Sequence, residues 1–164
     1  MIRVVKNDDA EAIAGIYNYY IANTVITFEE APVDAGLMND RITSVTTQYP
    51  WYVWEEKGEI IGYAYAHRWH ERAAYRYAAE DSIYIKPGYE RRGIGQQLLG
   101  RVIEDLRRQG IHVLMAVIAV PNEGSVGLHE KLGFKKAGQF NEIGYKLGKR
   151  RDVGYWELIL EGEK

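Results

Sequence analysis

Residues Ile111 to Val120 (IHVLMAVIAV) are apolar almost without a break, and Pro121 follows them. A half-wet strand alternates polar and apolar side chains. An unbroken run of this length marks a strand covered on both faces. It is far shorter than the ~20 apolar residues that span a bilayer. The residues just before it carry helical spacing: Ile94, Leu98, Leu99, Val102, Ile103 and Leu106 share one face, and Gly110 stops the pattern. A buried strand fed by an amphipathic helix implies a layered α/β domain.

The rest of the chain supplies the other layers. Ile2 to Val5 reads as a short strand. Asn7 is placed to cap a helix carrying Ile13, Ile16, Tyr17, Tyr20 and Ile21. Pro32 and Asp34 open a second helix reaching Thr47. Trp51 to Glu55 and Ile60 to His67 form a hairpin around Lys57-Gly58. Tyr77 to Ile85 is a further strand, Ser125 to Leu132 a short helix, and Phe134 onward and Val153 to Leu160 the last strands. The expected order is β α α β β β α β α β β, one domain over 1–164 with no repeat or linker.

Composition narrows the function classes. There are 21 basic and 23 acidic residues, a net charge of -2, so no global basic excess points to nucleic acid. Cysteine is absent. That excludes a disulfide framework, a thiolate nucleophile and a cysteine metal site, and it fits a reducing cytoplasm. Met1 to Asp9 lacks the apolar run and cleavage pattern of a signal peptide. His67 and His70 have no acidic partner at ligand spacing, so no metal is expected. Charge is divided locally. Asn7 to Asp40 carries seven acids and no Lys or Arg, whereas Lys86 to Arg108 carries six bases against three acids. An anionic ligand near the central segment and an amine near the early one would suit that division.

The central segment, Ser82-Ile83-Tyr84-Ile85-Lys86-Pro87-Gly88-Tyr89-Glu90-Arg91-Arg92-Gly93-Ile94-Gly95, runs from strand through turn to helix. Free N–H groups at a helix N-terminus, approachable across glycine, make a phosphate cradle. A dinucleotide fingerprint would need glycine where Leu98 stands, and the Gly-Lys-Ser/Thr of a P-loop is absent. Taken alone, the two glycines also fit tight packing at a helix start.

With its neighbours the segment resembles the acetyl-CoA loop of the GNAT acetyltransferases, Gln/Arg-x-x-Gly-x-Gly/Ala. Glu90 departs from the first position; Gly93 and Gly95 match. Pro121-Asn122-Glu123-Gly124-Ser125 and Leu128-His129-Glu130-Lys131-Leu132-Gly133-Phe134 follow in the family's order. Asn18-Tyr19-Tyr20-Ile21, Tyr49-Pro50-Trp51, Ala79-Glu80 and Asp152-Val153-Gly154-Tyr155-Trp156 look like its phosphinothricin N-acetyltransferase branch.

The resemblance implies a twisted mixed sheet splayed at the acetyl-CoA site, between the strand ending at Ile85 and the strand from Ile111. It implies pyrophosphate on the backbone of Arg91, Arg92, Gly93, Ile94, Gly95 and Gln96, and pantetheine along Ile83, Tyr84 and Ile85. Asn122 and Lys131 would be further cofactor contacts. Glu80 would be the general base, and partial burial moves a carboxylate towards that task. His129 would protonate the leaving thiolate. Thr27, Phe28, Arg72, Ala73, Ala74 and Tyr75, with Glu80, would hold a small amino-acid-like amine; Tyr84 is also expected near the cleft. Acetylation of a protein N-terminus or lysine, and CoA binding without turnover, are the alternatives. Gly144 to Tyr155 would form a homodimer interface or border the partner's site.

Overall fold

The computed structural model describes residues 1–161; the last three residues of the expected domain lie outside the described part. Strands β1 (Ile2–Val4), β2 (Trp51–Glu56), β3 (Glu59–Arg68), β4 (Ala78–Ile85), β5 (Val113–Val120), β6 (Lys135–Lys146) and β7 (Lys149–Ile159) form one sheet. Its order is β1-β2-β3-β4-β5-β7-β6. All neighbours are antiparallel except β4 and β5, which the helical crossover makes parallel.

Helices α1 (Ala10–Asn23) and α2 (Ala35–Thr46) cover one face, and α3 (Ile94–Arg108) and α4 (Glu123–Lys131) belong to the other. The period of two in the strands makes this division. Trp51, Val53 and Tyr63 pack with Ile13, Tyr17 and Met38 of the first two helices. Tyr52, Ile61 and Ala64 pack with Leu98, Leu99 and Val102 of α3. The α3 stripe is buried as its spacing predicts. The helix ends where Gly110, at φ +80°, reverses the chain; Gly110 N–H reaches Arg107 O and Ile111 N–H reaches Leu106 O.

Two local expectations change. Asn7 does not cap α1: residues 7–9 form a 3₁₀ turn ahead of it. The chain entry is held by Asp9 instead, whose carboxylate accepts the Lys6 N–H at 2.7 Å and pairs with Arg3 at 2.8 Å. The apolar run is also covered unequally. Leu114, Ala116 and Ile118 of β5 are buried against α3, whereas Val113, Met115 and Val117 are only half-buried. The cluster beneath α1 and α2 draws on β2 and β3 and includes no β5 residue. Val117 lines a cavity there instead.

The two parallel strands pair only at Ala78–Val113, Ala79–Leu114 and Glu80–Met115. Beyond Glu80, β4 stays paired with β3, and β5 stays paired with β7 out to Val120. Each strand therefore keeps one partner while their facing edges part. The expected splay lies between Asp81–Ile85 and Ala116–Val120.

Candidate active site

On those parted edges Ile85 O accepts from the Tyr20 hydroxyl, and the backbone groups left without a ladder partner suit an extended ligand carrying amides. At the mouth of the splay, Arg91 (φ +60°) and Gly93 (φ +77°) turn the chain into α3 through the left-handed region. The first N–H groups of α3 are thereby presented beside β4. Gly95 is tightly packed: a Cβ there would lie 3.3 Å from the Leu128 side chain and 3.4 Å from that of Ile83, so Leu128 would have to give by a few tenths of an ångström. Its glycine thus serves close α3–α4–β4 packing. Arg92 is tied to Glu56 at 3.0 Å. The excess positive charge of this segment is accordingly smaller than its base count.

Below the mouth lies a cavity of about 360 Å³. Of the expected residues, Thr27, Phe28, Glu80, Ile83, Tyr84, Asn122 and His129 line it. Ile85, Arg91, Arg92, Gly93, Ile94, Gly95, Gln96 and Lys131 do not; all but Lys131 belong to the end of β4 and the turn into α3. Asn122 caps α4, its Oδ1 accepting the Ser125 N–H at 3.1 Å. Arg72, Ala73, Ala74 and Tyr75 are absent from the wall. They lie in an exposed 3₁₀ turn between β3 and β4, with the Tyr75 ring against His70. Trp69, at the start of the loop carrying them, meets Tyr155 of β7 edge-on.

Glu80 stands opposite His67 in the β3–β4 ladder, with His67 Nε2 3.4 Å from its Oε2. Burial is the largest single influence and lowers the imidazole pKa, but Glu80, the Arg68 carbonyl and Asp81 together raise it by more, and the net direction is up. Arg76 donates to Ala73 O and lies over the Tyr77 ring.

His129 is buried. Its Nε2 is 3.0 and 3.1 Å from the Asp81 carboxylate oxygens, and its Nδ1 is 2.7 Å from Ser125 O. Either neutral tautomer sets a ring lone pair against one of these acceptors, so the imidazolium fits both contacts best. Burial is the largest single influence and would lower its pKa; the charge and hydrogen bond of Asp81, with the Ser125 carbonyl, together outweigh it and raise the value. To give up a proton, the ring must release one of these bonds.

The acceptor end is braced from several elements. Arg41 of α2 holds Glu29 through two bonds of 2.6 and 2.8 Å. Tyr17 donates to Glu29 and pairs with Thr27 Oγ1, while buried Lys146 donates to Thr27 O at 2.6 Å. The early acidic segment therefore reaches the cavity through Glu29, but already neutralised. Tyr17, Glu29, Arg41, His67, Asp81 and Ser125 escape the sequence reading. Only His67 had a usable signal, since pairing the 51–67 hairpin with the 77–85 strand brings it opposite Glu80.

A family model for an acetyltransferase (GNAT) domain matches residues 2–153. The chain belongs to the GNAT acetyltransferases. Members of this family take acetyl from acetyl-CoA, and the splayed edges and glycine turn fit that ligand. A phosphinothricin N-acetyltransferase of Streptomyces viridochromogenes is 35% identical over 98% of this chain and 87% of its own length. An L-methionine sulfoximine/L-methionine sulfone acetyltransferase of Salmonella typhimurium is 34% identical over 98% of this chain and 94% of its own. Among solved structures, a phosphinothricin acetyltransferase from Sinorhizobium meliloti in complex with acetyl-CoA superposes with a TM-score of 0.95. It is 35% identical, covering 99% of this chain and 89% of that one. This GNAT chain is an N-acetyltransferase whose relatives act on amino-acid-like amines.

Proposed function

We propose that this GNAT enzyme acetylates the α-amine of a small amino-acid-like substrate of the phosphinothricin, methionine sulfoximine or methionine sulfone type. The observation that carries the reading is the 360 Å³ cavity joining the splayed β4–β5 edges to Glu80. Its acceptor end is bounded by Thr27, Phe28 and the Arg41–Glu29 brace. That volume suits a single small amine.

Acetyl-CoA supplies an activated acetyl thioester. The backbone of Arg91 to Gln96 would hold its pyrophosphate, and the free edge of Ile83 to Ile85 its pantetheine amides, with Asn122 and Lys131 as further contacts. An amino group is protonated near neutrality and must lose a proton before it attacks. Glu80, on the wall and half-exposed, is placed to take it. His129, its pKa raised beside Asp81, would return a proton at the cost of one hydrogen bond. Arg72 to Tyr75, exposed outside this cavity, would reach substrate only by a movement of their loop or across a subunit boundary. The proposal includes a cytoplasmic homodimer. The β6–β7 ribbon bares Phe140, Ile143, Tyr145 and Leu147, each more than half exposed, next to the Phe28 segment.

Purified protein mixed with acetyl-CoA and a panel of amines tests this through release of free thiol. Turnover with methionine sulfone or phosphinothricin, and none with peptides, is the expected result. Glu80→Gln should then lower kcat by about 10²–10⁴-fold. Preferential turnover of peptides would favour a protein acetyltransferase, and CoA binding without amine-dependent release a binding module.

A further inference from the structure

Two histidines line the cavity, and they differ in exposure. His129 is buried with an acceptor at both ring nitrogens. His67 is partly exposed, with a backbone carbonyl at Nδ1 and the Glu80 carboxylate facing Nε2. Its Nδ1 lies 3.0 Å from Arg68 O. A carbonyl oxygen only accepts, so Nδ1 keeps its hydrogen in both charge states. The lone pair of neutral His67 is therefore on Nε2, 3.4 Å from Glu80 Oε2.

We infer that His67 is the proton-accepting partner of Glu80, so that the amine's proton passes through the Glu80 carboxylate to His67 Nε2 and then to water. The inference rests on the acyl-transfer reading given above. An N–H bond of the ammonium breaks as an O–H bond forms on Glu80. That O–H breaks as Nε2–H forms, and the imidazolium then returns its extra proton to solvent through Nε2. Nδ1–H stays on Arg68 O throughout, and the protein ends unchanged.

Three features support the relay. The β3–β4 register sets the two side chains directly opposite on one face, so the contact is built by the ladder. His67 is 34% exposed at its side chain, against 2% for His129, which gives its proton an exit. An imidazole ordinarily titrates about two units above a glutamate carboxylate, so it is the better sink for a proton leaving an ammonium. The charged groups acting on His67 are Glu80 and, at longer range, Asp81, both from β4; Tyr65 is its neighbour on β3. Both carboxylates favour the imidazolium. The accepting state should accordingly fill only above the ordinary histidine range, near pH ~6.5.

The test compares wild type with His67→Gln, whose amide still donates towards Glu80 but takes no proton. Wild-type kcat/KM for the amine, at saturating acetyl-CoA, should fall on the acid side of a limb above pH ~6.5. In His67→Gln the limb should disappear from that range and the plateau drop about tenfold or more. KM for acetyl-CoA should stay within about twofold, since His67 is remote from the α3 cradle. A second arm needs no turnover: NMR titration of the histidine Cε1–H signals in wild type and Glu80→Gln. His67 should titrate above the ordinary value in wild type and move down in the variant. An unchanged pH limb in His67→Gln, or a His67 titration indifferent to Glu80→Gln, overturns the relay alone. Absence of turnover with every amine overturns the acyl-transfer reading, and the relay with it.

Discussion

Asp81→Asn probes the most buried charge pair of the site. The two side chains are 4% and 2% exposed, with oxygen and nitrogen 3.0 Å apart. At an effective dielectric near 20, unit charges at that distance attract by about 5–6 kcal/mol. Desolvating both ions opposes this with several kcal/mol. Removing one member of such a pair leaves the other buried alone and costs about 3–5 kcal/mol. Asparagine keeps a hydrogen-bonding amide beside Nε2, so the low end, about 3 kcal/mol, is expected near pH ~6. The sign with pH follows from the raised His129 pKa. Stabilisation is full below the unfolded value of about 6.5 and declines as pH rises through the folded value, by at most about 1.4 kcal/mol per unit. Asp81→Asn lacks this slope, so its deficit should narrow from pH ~6 towards pH ~9. Urea unfolding followed by tryptophan fluorescence at both pH values measures it. A deficit that is constant with pH, or below about 1 kcal/mol at pH ~6, would refute an imidazolium–carboxylate pair at this position.

Other substitutions separate the two ends of the site. Gly93→Ala forces a side chain into the left-handed conformation at φ +77°; it should cost about 1 kcal/mol of stability and raise KM for acetyl-CoA, read by thermal melts and kinetics. Gly144→Ala places a Cβ within 2.5–2.6 Å of the Phe28 ring. It should displace Phe28 and alter the ranking of amine substrates while leaving acetyl-CoA KM unchanged, which a substrate panel reads. Lys146→Met keeps the buried stem but removes the bond to Thr27 O. Stability should shift by less than about 1 kcal/mol, while hydrogen exchange speeds up across residues 24–30.

Local physics made much of the fold legible. The stripe from Ile94 to Leu106 has one period and one clean stop, and both survive in α3. The hairpin around Lys57-Gly58 needed only turn chemistry and β-rich flanks. The expected Asn7 cap of α1 fails because the chain entry is fixed by Asp9, which Arg3 holds from a different element. Of the residues expected at the site, Thr27, Phe28, Glu80, Ile83, Tyr84, Asn122 and His129 line one cavity. Arg72 to Tyr75 are exposed and do not line it, since a motif gives sequence position and not the course of a loop in the folded chain.

Periodicity, turn residues and helix stops thus determined the element order, the two-sided layering and the glycine turn at the head of α3. These are properties of backbone conformation over a few neighbouring residues, and sequence carries them directly. Tertiary structure alone decided that β5 lines a cavity on one face, and that the parallel strands part after Glu80. It also set His67 opposite Glu80, joined His129 to Asp81 48 residues away, and brought Lys146 to Thr27 across 119. Those contacts depend on strand register and on which helix covers which face. Both are outcomes of packing the whole chain, where each buried charge settles against whichever partner the sheet brings within reach.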